Sequence, residues 1–163
     1  MTGRKLLKMV LCVVILLGMV VAVQAGTQGV TKNQITVGTH TALSGPVAGW
    51  GIDATNGVRM RFDEANEAGG IHGRKIEYIV EDSQYRVPIA VQKANKLVNR
   101  DKVFFLIASI GTPMNNAIFP MLEKKGIPNL FPYTAARSMY EPLNKLKFAN
   151  LAPYYGNVRA GLK

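Results

Sequence analysis

The sequence predicts an α/β fold: a doubly wound parallel sheet with helices on both faces. Three observations carry that expectation. Val103 to Ala108 is a continuous apolar run, the composition of a strand covered on both sides. Beyond the turn Ser109-Ile110-Gly111-Thr112-Pro113, the residues Met114, Ala117, Ile118, Met121 and Leu122 recur at i, i+3, i+4, i+7 and i+8, one face of a helix that Gly126 would stop. Strand and helix patterns alternate in this way four times along the chain, with connections of ordinary length.

The first 25 residues read as a signal peptide. Arg4, Lys5 and Lys8 precede an apolar run from Met9 to Val23, and Val23-Gln24-Ala25 has the small-residue pattern cleaved before Gly26. A run of about 15 apolar residues is short of the roughly 20 that span a bilayer. Cys12, the only cysteine, lies in this leader, so the mature chain has neither a disulfide nor a thiolate metal site. Three of the 20 basic residues and none of the 10 acidic ones lie there too, which takes the formal charge from +10 to +7. The remaining charges are scattered in ones and twos, as at Arg59 and Arg61, with no interleaved aromatics. With export, that argues against nucleic acid as a partner.

Residues 26–163 suffice for one ordinary domain. Ile35 to Thr39 is a strand candidate, followed by a loop rich in Ser, Gly and Pro from His40 to Gly51. Ala54, Val58, Phe62 and Ala65 then mark a helix ended by Gly69-Gly70. Lys75 to Glu81 alternates as a strand near an edge, and Pro88 opens a helix that buries Ala90, Ala94, Leu97 and Val98. After the central unit, whose Pro120 predicts a bend, Ile127 to Phe131 is a fourth strand and Lys147 to Leu151 a short fifth. Asn157 to Lys163 opens like a helix with no stop signal, as in a chain cut short.

In such sheets ligands bind beyond the carboxyl ends of the strands, where strand order reverses. If the first and third strands are neighbours, the loops 41–51, 109–113 and 133–137 meet there. The helix start at Gly111 and Thr112 aims backbone N–H groups and a positive helix end at an anion such as a carboxylate. Alternatively, Thr112 only caps the helix. Trp50, held between glycines, either covers a ligand's apolar part or packs in the core. Tyr133 and Tyr155 either extend that wall or serve as interfacial packing.

Other motifs carry less. Gly49-Trp50-Gly51-Ile52-Asp53-Ala54 matches a dinucleotide fingerprint, but about ten residues separate Thr39 from Gly49, where that motif needs its glycine directly after the strand. No phosphate-binding Gly-Lys-Ser/Thr loop occurs. His40 and His72 read as solvated loop histidines with no metal-ligand spacing. Ser44 and Ser109 have no indicated His partner, so no catalytic residue, no cofactor and no enzyme is expected.

Ile35-Thr36-Val37-Gly38, Leu43-Ser44-Gly45-Pro46-Val47-Ala48 with Trp50-Gly51, Asn66-Glu67-Ala68-Gly69-Gly70-Ile71, and Glu81-Asp82 before the Pro88 helix together resemble the N-terminal lobe of periplasmic binding proteins of the leucine/isoleucine/valine-binding type. The resemblance implies a type I two-lobed receptor that closes on a small ligand and delivers it to an ABC permease in the inner membrane. It also implies ligand contacts from Gly111, Thr112, Tyr133, Thr134 and Ala135, with Trp50 as the first-loop aromatic. Two departures stand out. Gly111-Thr112-Pro113 replaces a serine-rich turn, as in relatives that take aromatic or other small carboxylates, and Ala135 stands where a threonine hydroxyl is usual, so that either one polar contact is lost or Thr134 replaces it. The expectation is a periplasmic first lobe that captures a small amphipathic carboxylate, amino acids leading. The same fold used as a ligand sensor is the alternative.

Overall fold

The computed structural model describes residues 26–162; the expected signal peptide lies outside them. In chain order come β1 (Gln34–Thr41), α1 (Ala48–Glu67), β2 (Lys75–Asp82), α2 (Val87–Asn95), β3 (Phe105–Ile107), α3 (Thr112–Lys125), β4 (Asn129–Leu130), β5 (Lys147–Phe148) and α4 (Tyr154–Gly161). The five strands pair in parallel in the order β2-β1-β3-β4-β5. The first and third strands are therefore neighbours, which meets the condition for the three loops to gather, and the second is an edge, as the sequence predicts.

Strand lengths depart from the apolar runs for local reasons. β1 continues past Thr39 because β2 offers it an unbroken ladder, from Gln34 opposite Lys75 to Thr41 opposite Asp82. β3 and β4 stop early because Ala108 (φ 55°) and Phe131 (φ 51°) turn into the left-handed region. α3 is one continuous helix through Pro120.

Side-chain alternation assigns the helices to faces. On β1, a Cβ at Gly38 would lie 2.9 Å from Val103 and 3.1 Å from Leu97, so the end of α2 presses on that face. Leu106, level with Gly38, joins Ala94, Leu97, Ile118 and Leu122 in the core under α2 and α3. α1 lies on the opposite face, where Phe62 meets Tyr78 edge-on at 5.4 Å. α2 runs on into a π-helical turn, Lys96–Arg100. Lys93 and Lys96 both reach the buried Glu81, Lys93 at 2.8 Å, which compensates the burial of that carboxylate.

Two expectations need correction. His40 is no loop residue: it sits in β1, fully buried, because the ladder with β2 carries the strand two residues beyond its apolar pattern. On α3 the buried residues are Met114, Asn115, Ile118, Phe119 and Leu122, whereas Ala117 is exposed. The helix rolls so that Asn115 can reach buried carbonyls, as described below. His72 is exposed in a turn, as expected.

Candidate functional site

The carboxyl ends of β1 and β3 meet at the switch point, and polar contacts hold them there. Thr39 and Ser109 are buried with hydroxyls 3.4 Å apart. The turn after β3 is clamped by Asn115, whose Nδ2 donates to the carbonyls of Ser109 (3.0 Å) and Gly111 (2.8 Å) while its Oδ1 accepts from Asn129 Nδ2 (2.9 Å). Gly111 has φ 100°, and a Cβ there would lie 2.9 Å from the Tyr85 ring, so only glycine fits. Sequence reasoning overlooked Asn115. A polar residue beside Met114 on the inward side of a helix was the signal.

Gly111 is the N-cap of α3 and Thr112 its first residue, with no side-chain cap bond. Thr112 thus does not act as the cap, which leaves the N–H groups at this helix end open to a guest. The Thr112 and Thr134 hydroxyls are 2.6 Å apart, and Thr134 Oγ1 accepts from the N–H of Ala136. Thr134 is fully buried, so its proton goes to Thr112. The half-buried Thr112 hydroxyl is then left with its own proton to donate outward. Tyr133 forms a bridge with Ile110, its N–H donating to the Ser109 carbonyl at 3.0 Å. Gly111, Thr112, Tyr133 and Thr134 therefore form one unit. Ala135 is buried beside them and accepts from the N–H of Tyr154 at 3.0 Å, which pins the start of α4 to the same loop.

Asp82, at the end of β2, fixes the first loop. It accepts from the Leu43 N–H (3.0 Å), the Ser44 hydroxyl (2.6 Å) and the Gln84 N–H (2.8 Å). Burial opposes its charge, but these donors hold its carboxyl below the usual range. Next to this loop, a Cβ at Gly51 would lie 2.0 Å from the Ala42 carbonyl, so glycine lets α1 start directly against the strand end. Gly49 lies inside α1, not in a tight turn after β1, so the dinucleotide motif has no structural counterpart.

Trp50 is 71% exposed on the first turn of α1 rather than packed in a core. It shares a groove with Tyr133, and most of that groove runs down the flank of α1, away from the strand ends. Tyr155 is not on this wall: with Tyr154, Arg137 and Glu141 it lines a separate hollow. His40 lies below the site, both ring nitrogens without hydrogen-bond partners among the described residues, and burial lowers its pKa to about 4.

Comparison with known proteins agrees with this architecture. Residues 34–158 match the family model described as periplasmic binding protein. The leucine-specific-binding protein of Salmonella typhimurium is 33% identical over 108 residues, which cover 66% of this chain and 29% of that protein. Among solved structures, a substrate-binding periplasmic protein from Ralstonia solanacearum superimposes with a TM-score of 0.72 at 26% identity, covering 78% of this chain and 37% of its own. A fatty acid ABC transporter substrate-binding protein from Thermomonospora curvata gives 0.72 at 28% identity, covering 83% and 33%. The chain thus spans about a third of the length of these relatives. With its parallel sheet, switch-point turn and open helix end, this chain belongs to the periplasmic binding proteins, of the leucine/isoleucine/valine-binding type.

Proposed function

We propose that residues 26–163 form the first lobe of an exported, periplasmic solute-binding protein that serves an ABC importer, its signal peptide removed near Ala25. The lobe captures a small amphipathic carboxylate, and amino acids are the leading class. One observation carries this reading: the uncapped start of α3 beside the Thr112–Thr134 hydroxyl pair, which sets oriented donors at the switch point. Carboxylate oxygens would take the N–H groups and the Thr112 hydroxyl, and the apolar part would lie toward Trp50 and Tyr133. A second lobe of the receptor closes over the ligand and supplies the remaining contacts. Family membership and the amino acid named for the Salmonella relative support the ligand class. An aromatic or longer organic acid is the second reading, favoured by the exposed Trp50 and Tyr133 and by the ligand named for the Thermomonospora neighbour.

The test is calorimetry on the protein purified from its host, with leucine, isoleucine, valine and phenylalanine as probes. Thr112→Ala should weaken the best of these by about 1 to 3 kcal/mol, the worth of a hydrogen bond to a charged group. Unchanged affinity rejects the hydroxyl as a ligand contact.

A further inference from the structure

The fold gathers cations that are scattered along the chain. All five strands run parallel, so the segments that lead into them share one pole of the lobe, opposite the switch point. Arg74 stands ahead of β2, Lys32 ahead of β1, Lys102 ahead of β3, Lys124 and Lys125 ahead of β4, and Lys145 ahead of β5. In the spatial order of the strands they form a row about 19 Å long, four spacings between neighbouring strands. The five lysines are exposed, and none has an ion-pair partner among the described residues. Asp101, in the same loops, is already paired with Arg100 and Lys96, and Glu67 and Glu123 border the row at helix ends. At the other pole the segments that leave the strands, 42–47, 83–86, 108–111 and 131–141, carry only Arg86, Arg137 and Glu141.

Lysines at the carboxyl end of a helix complement its dipole, which accounts for Lys124 and Lys125 on α3. It accounts neither for Lys32 and Lys102, which belong to no helix, nor for Leu143. Leu143 is 96% exposed, in a hollow of about 800 Å³ that Lys124, Lys125 and Lys145 surround. An apolar side chain standing in water among lysines suits a surface whose charges meet lipid headgroups while the apolar group enters the acyl boundary. The chain also enters the lobe at this pole. Gln28 Nε2 donates to the carbonyls of Val98 (3.1 Å) and Val103 (3.0 Å), so the expected leader joins the lobe beside the row.

We infer that this pole docks on an anionic phospholipid surface, its lysines among the headgroup phosphates and Leu143 at the acyl boundary. The inference rests on the periplasmic reading above. Docked in this way, the lobe turns the carboxyl ends of its strands, and with them the open start of α3, away from the bilayer and toward solution. Duplex nucleic acid is a poorer partner, because a phosphate backbone offers Leu143 nothing apolar.

The product purified from its host is sedimented with vesicles of phosphatidylcholine or of phosphatidylglycerol, in low salt and in salt high enough to screen surface charge. The expected result is binding to phosphatidylglycerol alone, reversed by high salt. Lys32→Glu combined with Lys145→Glu should weaken it roughly twentyfold or more, and Leu143→Ser about threefold. Arg86→Glu combined with Arg137→Glu makes the same change of charge at the opposite pole and should leave binding unchanged. An intact unfolding transition checks that each variant is folded. No binding to phosphatidylglycerol, or equal loss in both double variants, overturns the pole as a docking surface. Binding that Leu143→Ser does not weaken and that a DNA duplex matches overturns lipid as the partner. Calorimetry with the amino-acid probes reads the mouth instead, so a failure there strikes the receptor reading and not this one.

Discussion

The two faces of the sheet are built from the same strands and differ in how completely they are covered. Under α2 and α3 the sheet is closed off: Leu106 of β3, Leu97 of the π-helical turn and Leu122 of α3 have no exposed surface. On the α1 side the neighbouring residues Phe105, Ile107 and Leu130 keep partial exposure and Phe148 keeps nearly half. One residue of shift along β3 moves a side chain from a finished core to an open trough. The tighter packing therefore lies under α2 and α3, while the α1 side, closed over Val37, leaves apolar surface open toward β5.

The sharpest way to break this comparison is a pair of truncations at adjacent positions. Leu106→Ala should cost about 2 to 5 kcal/mol in denaturant unfolding, the usual cost of a cavity in a packed core. Ile107→Ala should cost about 1 kcal/mol or less, since less contact is lost on an open face. Equal costs would show that the α1 side is as well packed as the other.

A pH titration probes the closed face through His40, which lies on the same side as Gly38 and Leu106 by alternation. Its folded pKa is about 4 against an ordinary 6.5, because burial disfavours the charged form. Above pH 6.5 both states are neutral and nothing is lost. As pH falls from 6.5 toward 4, the unfolded chain takes up a proton that the folded chain refuses, so stability drops by about 3 kcal/mol over that window. His40→Leu should remove that part of the pH dependence; an unchanged profile would mean that His40 takes up its proton within the fold.

The smallest expected effect separates packing from polar clamping. Asn115→Ala strands the Ser109 and Gly111 carbonyls and should cost about 1 to 3 kcal/mol. It should also loosen the turn that presents Thr112, so carboxylate affinity should fall together with stability. Lost stability with intact affinity would confine Asn115 to the core.

Much of this was legible in the residues. The run Val103–Ala108, the Gly111-Thr112-Pro113 turn and the apolar spacing of α3 are local signals, and local signals suffice for a strand, a turn and a helix. Glycine flanks and the order of elements left Trp50 either at the pocket mouth or in the core, and the structure places it exposed, near Tyr133. The burial of His40 and the roll of α3 were not legible. The first depends on how far β2 runs alongside β1, and the second on carbonyls supplied by a turn and on Asn129 in another strand. Tyr155 parted from Trp50 for the same reason, since α4 is tied to Ala135 and opens toward Arg137.

By itself, then, the sequence determined the order and kind of the elements and the turn chemistry at the switch point, because periodicity, glycines and prolines act over a few residues. Only the tertiary structure decided which side chains close the core, which hydroxyl donates outward, and which half of one sheet face stays open. Those depend on which strands become neighbours and which helix lies over them, and pairings between distant segments leave no mark within any one of them.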